Sequence, residues 1–318
     1  MTVLWLVIPC YNEEEVIRET AKRTLNVVHE LAAKGKISNE SKIAFVNDGS
    51  NDRTLNIIRD LCEKDNTFVC INLSRNRGHQ NALLAGLMTA KKYADAAISL
   101  DADLQDDINA IERFTDEYHK GADVVYGVRS DRKTDGFFKK NSAELFYKFM
   151  KLMGVDIVYN HADYRLMSRR ALDGLSEFDE VNTFLRGLVP QVGYPSAVVE
   201  YSRGSRFAGK SKYPLKKMLS FAFEGITSFS VRPIKMAFAL GLFAFLVSIF
   251  MLGYCIVQRL NGNAVSGWAS LGVSIWAIGG LQMLMLGVVG EYIGKIYLEV
   301  KHRPKYIIES VTINGKTE

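Results

Sequence analysis

Two runs near the C-terminus, residues 236–257 and 268–289, constrain this chain more than any other feature. Each is almost free of charge and about as long as the ~20 residues an α-helix needs to cross a bilayer. Neither shows the regular polar interruption of a helix that covers a soluble core, so both are expected to span a membrane. Lys210, Lys212, Lys216, Lys217, Arg232 and Lys235 precede the first run, and Lys295, Lys301, Arg303 and Lys305 follow the second. The connecting loop carries Arg259 alone. The positive-inside tendency then puts both termini on the cytoplasmic side of a plasma (inner) membrane. Gly241 and Gly253 in the first run, and Gly272, Gly279, Gly280, Gly287 and Gly290 in the second, would permit close helix packing, within one chain or between copies of a homo-oligomer.

With 318 residues and 48% hydrophobic content, enough chain precedes these runs for a full-sized soluble domain. Residues 1–8 are too short for the apolar core of a signal peptide and read instead as a first strand. Cys10, Cys62, Cys70 and Cys255 have no paired spacing, which fits a reducing compartment and excludes a disulfide framework or cysteine zinc site. The five histidines show no ligand spacing either. The formal charge of +5 gathers near the apolar runs, suiting lipid head groups or phosphates rather than nucleic acid.

Ahead of the runs, short apolar stretches at 3–8, 42–46, 68–73, 96–100 and 123–126 alternate with helical segments at about 13–33, 52–64, 79–93 and 108–120. This alternation predicts an α/β domain of parallel strands joined by crossover helices, with its chemistry at the strand C-terminal ends. Between 129 and 232 the pattern turns irregular. Phe137, Phe138, Leu145, Phe146, Phe149, Met150 and Leu152, interleaved with lysines, suit either an amphipathic helix at a membrane surface or packing against the sheet. The expected division is a soluble domain over 1–212, an amphipathic juxtamembrane segment over 213–235, two transmembrane helices over 236–293 and a cytoplasmic tail over 294–318.

The stretch 96–107, AAISLDADLQDD, delivers Asp101 and Asp103 from an apolar strand into a turn. Alternate residues of an extended chain share a face, so both can address one site. Asp103, with Gln105, is a candidate holder of a divalent cation, Mg²⁺ or Mn²⁺, that would neutralise a departing diphosphate. At 8–13, the ring of Tyr11 and the side chain of Asn12 suit stacking and hydrogen bonding to a nucleobase, although a plain turn with Asn12 as helix cap fits too. Asp48, in Asn47-Asp48-Gly49-Ser50, could accept from base or ribose or simply form an Asx turn. Residues 204–211 satisfy G-x-x-x-x-G-K-[ST] as written, but Pro214 and apolar runs follow where a phosphate-loop NTPase needs a long helix and further strands. A flexible basic loop accounts for the segment better. Arg203, Arg206, Ser211 and Lys212 then become candidates for gripping phosphate.

PCYNE, VNDGSNDRT, LSRNRGHQNALLAG, SLDADLQDD, YGVRSDR and ADYRLMSRRAL occur in this order, and the set resembles the polyisoprenyl-phosphate glycosyltransferases of the family-2 superfamily, which includes dolichol-phosphate mannosyltransferase. The resemblance spans essentially the whole chain. It implies a GT-A (Rossmann-like) nucleotide-sugar-binding domain followed by a transmembrane hairpin, a cation at Asp103 and Gln105, and donor contacts from Pro9, Tyr11, Asn12, Glu13, Asp48 and Asp101. It also implies that Asp163 lies beside the reacting centre, orienting the acceptor or taking a remaining proton, with Arg129 near the phosphates. A UDP-sugar is the implied donor, glucose first and N-acetylglucosamine or galactose as alternatives. The implied acceptor is a polyisoprenyl phosphate such as undecaprenyl phosphate, glycosylated with inversion for use in the cell envelope. Asn47 stands where many relatives have a second Asp, and His79 where many have Lys. No Gln-x-x-Arg-Trp occurs, which argues against a processive synthase. A non-catalytic nucleotide-sugar-binding protein on a membrane anchor would keep Pro9 to Glu13 and Asp48 but has no need of Asp103 with Asp163. Deleting everything after Arg232 is expected to harm activity on long-chain lipid more than nucleotide binding.

Overall fold

The computed structural model describes residues 1–129, 161–181, 184–202, 226–227, 230–261 and 267–317. The chain divides into two compact units. The first comprises Met1–Tyr147, Asp156–Tyr213 and Arg303–Glu318, and the second Lys148–Val155 and Pro214–His302.

The first unit is built on β1 (Leu4–Cys10), α1 (Ile17–Ala33), β2 (Lys42–Asn47), α2 (Thr54–Lys64), β3 (Phe68–Leu73), α3 (His79–Ala90), β4 (Ala96–Ser99), α4 (Ala110–His119) and β5 (Val124–Arg129). All seven residues of β1 are buried, as expected of a parallel strand covered on both faces. Helix α1 buries Ile17, Thr20, Ala21, Thr24, Val27, Val28 and Leu31, the 3- and 4-residue spacing of one helical face. Gly86 lets α3 lie close on the sheet, since a Cβ there would stand 2.3 Å from Val7 Cγ1 and 2.7 Å from Val46 Cγ2. The expected strands and helices are present to within a few residues. The largest shift is at α1, which starts at Ile17 rather than near residue 13 because the chain first turns through a left-handed Asn12 at φ 55°.

After residue 160 come β6 (His161–Ser168), α5 (Arg169–Ser176), α6 (Leu185–Gln191) and β7 (Ser196–Tyr201). The sheet order is β7-β5-β6-β4-β1-β2-β3, followed on the far edge by β8 (Ile308–Ile313) and β9 (Lys316–Thr317). Strands β4, β1, β2 and β3 run parallel, as expected. The sheet is nonetheless mixed, because β6 is inserted antiparallel between β4 and β5, and β8 pairs antiparallel with β3. The start of β6 therefore lies at the edge where β4 ends, and Ser99 faces Arg165 in the register. Residues 308–317, expected to belong to a C-terminal tail, complete the sheet.

The second unit contains α7 (Arg232–Leu260, 29 residues) and α8 (Trp268–Val300, 33 residues). Both are long and apolar enough to cross a membrane, over Arg232–Gln258 and Ala277–Val300, and neither window is buried within the protein. The helices contact each other, and a Cβ at Gly241 would stand 3.7 Å from the Met285 side chain. A Cβ at Gly253, Gly279, Gly280, Gly287 or Gly290 would meet nothing within 4 Å. Helix α8 outruns the apolar stretch that predicts it, continuing through Glu291, Lys295 and Glu299. No proline interrupts it before Pro304, and Glu and Lys, good helix formers, outnumber the single Gly294 there. Its 33 residues measure roughly 50 Å at 1.5 Å per residue, more than a hydrocarbon core of about 30 Å. The extra turns are tethered: the Tyr292 hydroxyl donates to the Ser230 carbonyl, and Lys295 Nζ to Thr227 Oγ1. Residues 137–152 and 203–225 lie outside the described residues, among them the candidate basic loop with Arg203, Arg206, Ser211 and Lys212.

Candidate active site

Four parallel strands end at one edge of the sheet, and the loops leaving β1 and β2 form a single wall there. Asn12 N donates to Ser50 Oγ (3.1 Å) and Asn51 N to Asn12 Oδ1 (2.9 Å). Glu13 N donates to Thr54 Oγ1 (2.9 Å) and Glu14 N to Asp52 Oδ2 (3.2 Å). The Tyr11 ring is exposed at the edge, as a stacking platform must be. Pro9, expected among the donor contacts, is buried inside β1 opposite Val46. Its ring packs in the sheet, leaving the backbone alone to meet a ligand.

Asp48 is 2% exposed, and its two carboxylate oxygens accept from Arg77 N (2.7 Å) and Gly78 N (2.9 Å). Burial raises its pKa despite these bonds. Asp48 thus clamps the loop between β3 and α3, and a nucleobase would have to share oxygens already in use. Gly49 makes the clamp feasible. It sits at φ 63°, and a Cβ there would be 2.5 Å from Asn76 N.

The acidic turn after β4 carries Asp101, Asp103 and Gln105. Leu104 between the last two adopts φ 56°, a conformation rare for a branched side chain and found where function over-determines the backbone. Gln105 N donates to Asp103 Oδ1 at 3.2 Å, which folds the two candidate ligands onto one turn. Among the described residues no three His, Cys, Asp or Glu side chains converge as a metal cage. A hard cation that takes one or two protein oxygens and completes its shell with substrate phosphates needs no such cage, and the donor set at Asp103 and Gln105 suits it. Asp106, one residue on, is buried and belongs to the scaffold. It accepts from Tyr201 at 2.7 Å and lies 3.8 Å from Arg129 NH2.

The antiparallel β6 brings Asp163 to the same edge. Arg165 NH2 donates to Asp163 Oδ1 (2.7 Å), while Arg186 approaches both oxygens, Nε at 3.1 Å and NH2 at 3.0 Å. Burial works to raise the Asp163 pKa, but the Arg186 and Arg165 guanidiniums overcome it and hold the carboxyl far below the usual range. His79, at the start of α3, completes the group with Nε2 3.6 Å from Asp101 Oδ1 and 3.9 Å from Asp163 Oδ2. Asp101 shifts the opposite way. Burial pushes it up to about 6, with His79 opposing and Asp106, Asp163 and Asp103 adding to the rise. One carboxylate is held in its charged form and its neighbour is reluctant to ionise.

A family model described as Glycosyl transferase family 2 matches residues 5–175, more than half of the chain. The chain belongs to glycosyl transferase family 2. Membership extends through the C-terminal helices, because full-length relatives align. The glycosyltransferase YkoT of Bacillus subtilis (strain 168), itself uncharacterised, is 52% identical over 96% of this chain and 91% of its own. The bactoprenol glucosyl transferase of Shigella phage SfV is 43% identical over 96% of this chain and 97% of its own. An uncharacterised glycosyltransferase of Synechocystis, sll0501, is 38% identical over 98% and 96%. For a family-2 member, the mixed sheet with an acidic turn after β4 is the GT-A arrangement. Arg186 escaped the sequence reading: it is a single arginine in an irregular stretch, and only the fold brings it to Asp163.

Proposed function

We propose that this chain transfers a hexose, glucose first, from a uridine diphosphate donor to a polyprenyl phosphate, with inversion at the anomeric carbon. One observation carries the reading: Asp101, Asp163, His79 and two guanidiniums, Arg165 and Arg186, meet beside the acidic turn. A non-catalytic sensor has no use for a second carboxylate held ionised at that point. The Shigella phage relative named a bactoprenol glucosyl transferase supports this choice of acceptor.

Asp103 and Gln105 would hold Mg²⁺ or Mn²⁺; bound there, the cation neutralises charge on the departing diphosphate. Tyr11 and the Asn12–Ser50 wall receive the nucleoside. Arg186, part-exposed while Arg165 is buried, offers the acceptor phosphate a planar two-point contact. That phosphate, with a second pKa of about 6, is largely dianionic at neutral pH and already nucleophilic. Asp163 does not need to take its proton, and the paired arginines leave it unable to. Its work is to aim the guanidiniums. A phosphate oxygen then forms the bond to the anomeric carbon while the bond to the diphosphate oxygen breaks on the opposite face. Helices α7 and α8 tether the catalytic unit to the bilayer that contains the acceptor, which confines the search.

The test is incubation of purified protein with a panel of nucleotide sugars, undecaprenyl phosphate and Mn²⁺ or Mg²⁺, with the glycolipid read by mass. Product that disappears with chelator and in Asp103→Ala is expected. Indifference to both, with any donor, sinks the reading.

A further inference from the structure

Strand β8 reaches the sheet only after the chain has passed through both long helices, yet two buried amides link it to the donor wall. In its ladder with β3, Asn72 pairs with Ser310 and Leu73 with Ile308, which leaves Glu309 as the extra residue of a β-bulge. Bulges re-aim a side chain and are frequent next to active sites. Here Glu309 Oε2 accepts from Asn72 Nδ2 at 2.7 Å. Asn72 Oδ1 in turn accepts from Asn47 Nδ2 at 2.7 Å, and Asn47 Oδ1 from Ser50 N at 3.3 Å. Ser50 Oγ then receives Asn12 N, and Asn12 Oδ1 receives Asn51 N.

The relay has a direction, and Glu309 sets it. An ionised carboxylate only accepts, so Asn72 must turn its NH2 toward β8 and its oxygen inward. Asn47 must then turn its NH2 to Asn72, which leaves its oxygen for Ser50 N. Asn72 and Asn47 are 3% and 1% exposed, so water offers no easy substitute, and an amide left unmatched there is costly. The relay also requires an amide at 47, since a carboxylate there could not donate to Asn72.

We infer that Glu309 is a positioning residue of the donor site, fixing the Asn12–Ser50 wall through Asn72 and Asn47, so that nucleotide affinity depends on the strand that follows the membrane helices. This rests on the reading that the wall receives the nucleoside diphosphate. It also revises the sequence-based expectation for deletion after Arg232: such a chain loses β8 as well as its helices, and nucleotide binding falls together with activity on lipid.

The experiment is titration calorimetry of uridine diphosphate with Mn²⁺ on detergent-purified full-length protein, beside steady-state kinetics. Glu309→Ala and Asn72→Asp are each expected to weaken Kd about three- to tenfold and to raise the donor KM, with kcat at saturating donor within twofold. The paired variant Asn72→Asp/Glu309→Gln reverses the first bond: the amide introduced at position 309 donates to the carboxylate introduced at position 72, which still accepts from Asn47. It is expected to recover wild-type Kd within twofold, which a merely structural contact would not predict. Wild-type Kd in both single variants, or a paired variant no better than Asn72→Asp, overturns the relay while leaving the reading of the site intact. Wild-type protein that binds neither uridine nor guanosine diphosphate overturns that reading and the relay with it.

Discussion

Asp163 and Asp101 are adjacent carboxylates with opposite electrostatic fates, and each supports a prediction. Arg186→Lys keeps the charge but loses the planar fork that grips two oxygens. The acceptor KM should rise about tenfold, corresponding to roughly 1.4 kcal/mol for one charged contact, with the donor KM unchanged; kinetics against a short-chain polyprenyl phosphate measures both. Asp101 has a folded pKa of about 6 against an ordinary 3.8. Its ionisation therefore costs the folded state nothing below about pH 4, progressively more between 4 and 6, and a constant amount above about 6. Metal-free Asp101→Asn protein should melt higher than wild type at pH 7.5, and the difference should fade toward pH 4 in thermal scans with chelator. Asp101, Asp103, Gln105 and Asp163 were legible in the sequence because they follow apolar strands or sit in ordered motifs. Arg186, Tyr201 and Glu309 were not, since no local pattern distinguishes them from surface residues. His79 was visible only as a departure from a pattern, and its place between two carboxylates is a product of the fold.

At the scale of elements, β1 to β5 and α1 to α4 could be read ahead because continuous apolar runs and 3.6-residue periodicity survive in them. Strand β6 could not. It alternates polar and apolar side chains, with Asp163 and Arg165 buried beside Tyr164 and Leu166, so it lacks the continuous apolar run that marks the other buried strands. Strand β8 escaped for another reason: it follows long apolar helices, where a tail was the simpler expectation. The β2 to α2 loop offers a test of how tightly these elements are fitted. Gly49→Ala would place a methyl against backbone atoms of Arg75 and Asn76 at a positive φ. A loss of about 2–3 kcal/mol is expected from strain of this kind, seen as a lower denaturation midpoint, together with a loosened Asp48 clamp and weaker nucleotide binding.

For the molecule as a whole, the pairing of β8 with β3 bears on a question of parity. Residues before α7 and after α8 fold into one sheet, so with α7 and α8 as the proposed membrane helices the chain must return to the side from which it left, after an even number of crossings. Tags at both termini should be equally accessible to protease in inverted vesicles and equally protected in intact cells. Opposite accessibility of the two ends would contradict the pairing of β8 with β3. Large side chains such as Phe238, Phe243, Phe250 and Met283 are largely uncovered on these helices, a surface that water does not tolerate at this extent.

The pairing of β8 with β3 also imposes an order on biosynthesis. Ribosomes release α7 and α8 before residues 308–313, so the growing chain carries an open β3 edge, an invitation to aggregation, until the hydrophobic hairpin has already emerged. A cell making this protein therefore closes its sheet last, once both long apolar helices have already been synthesised.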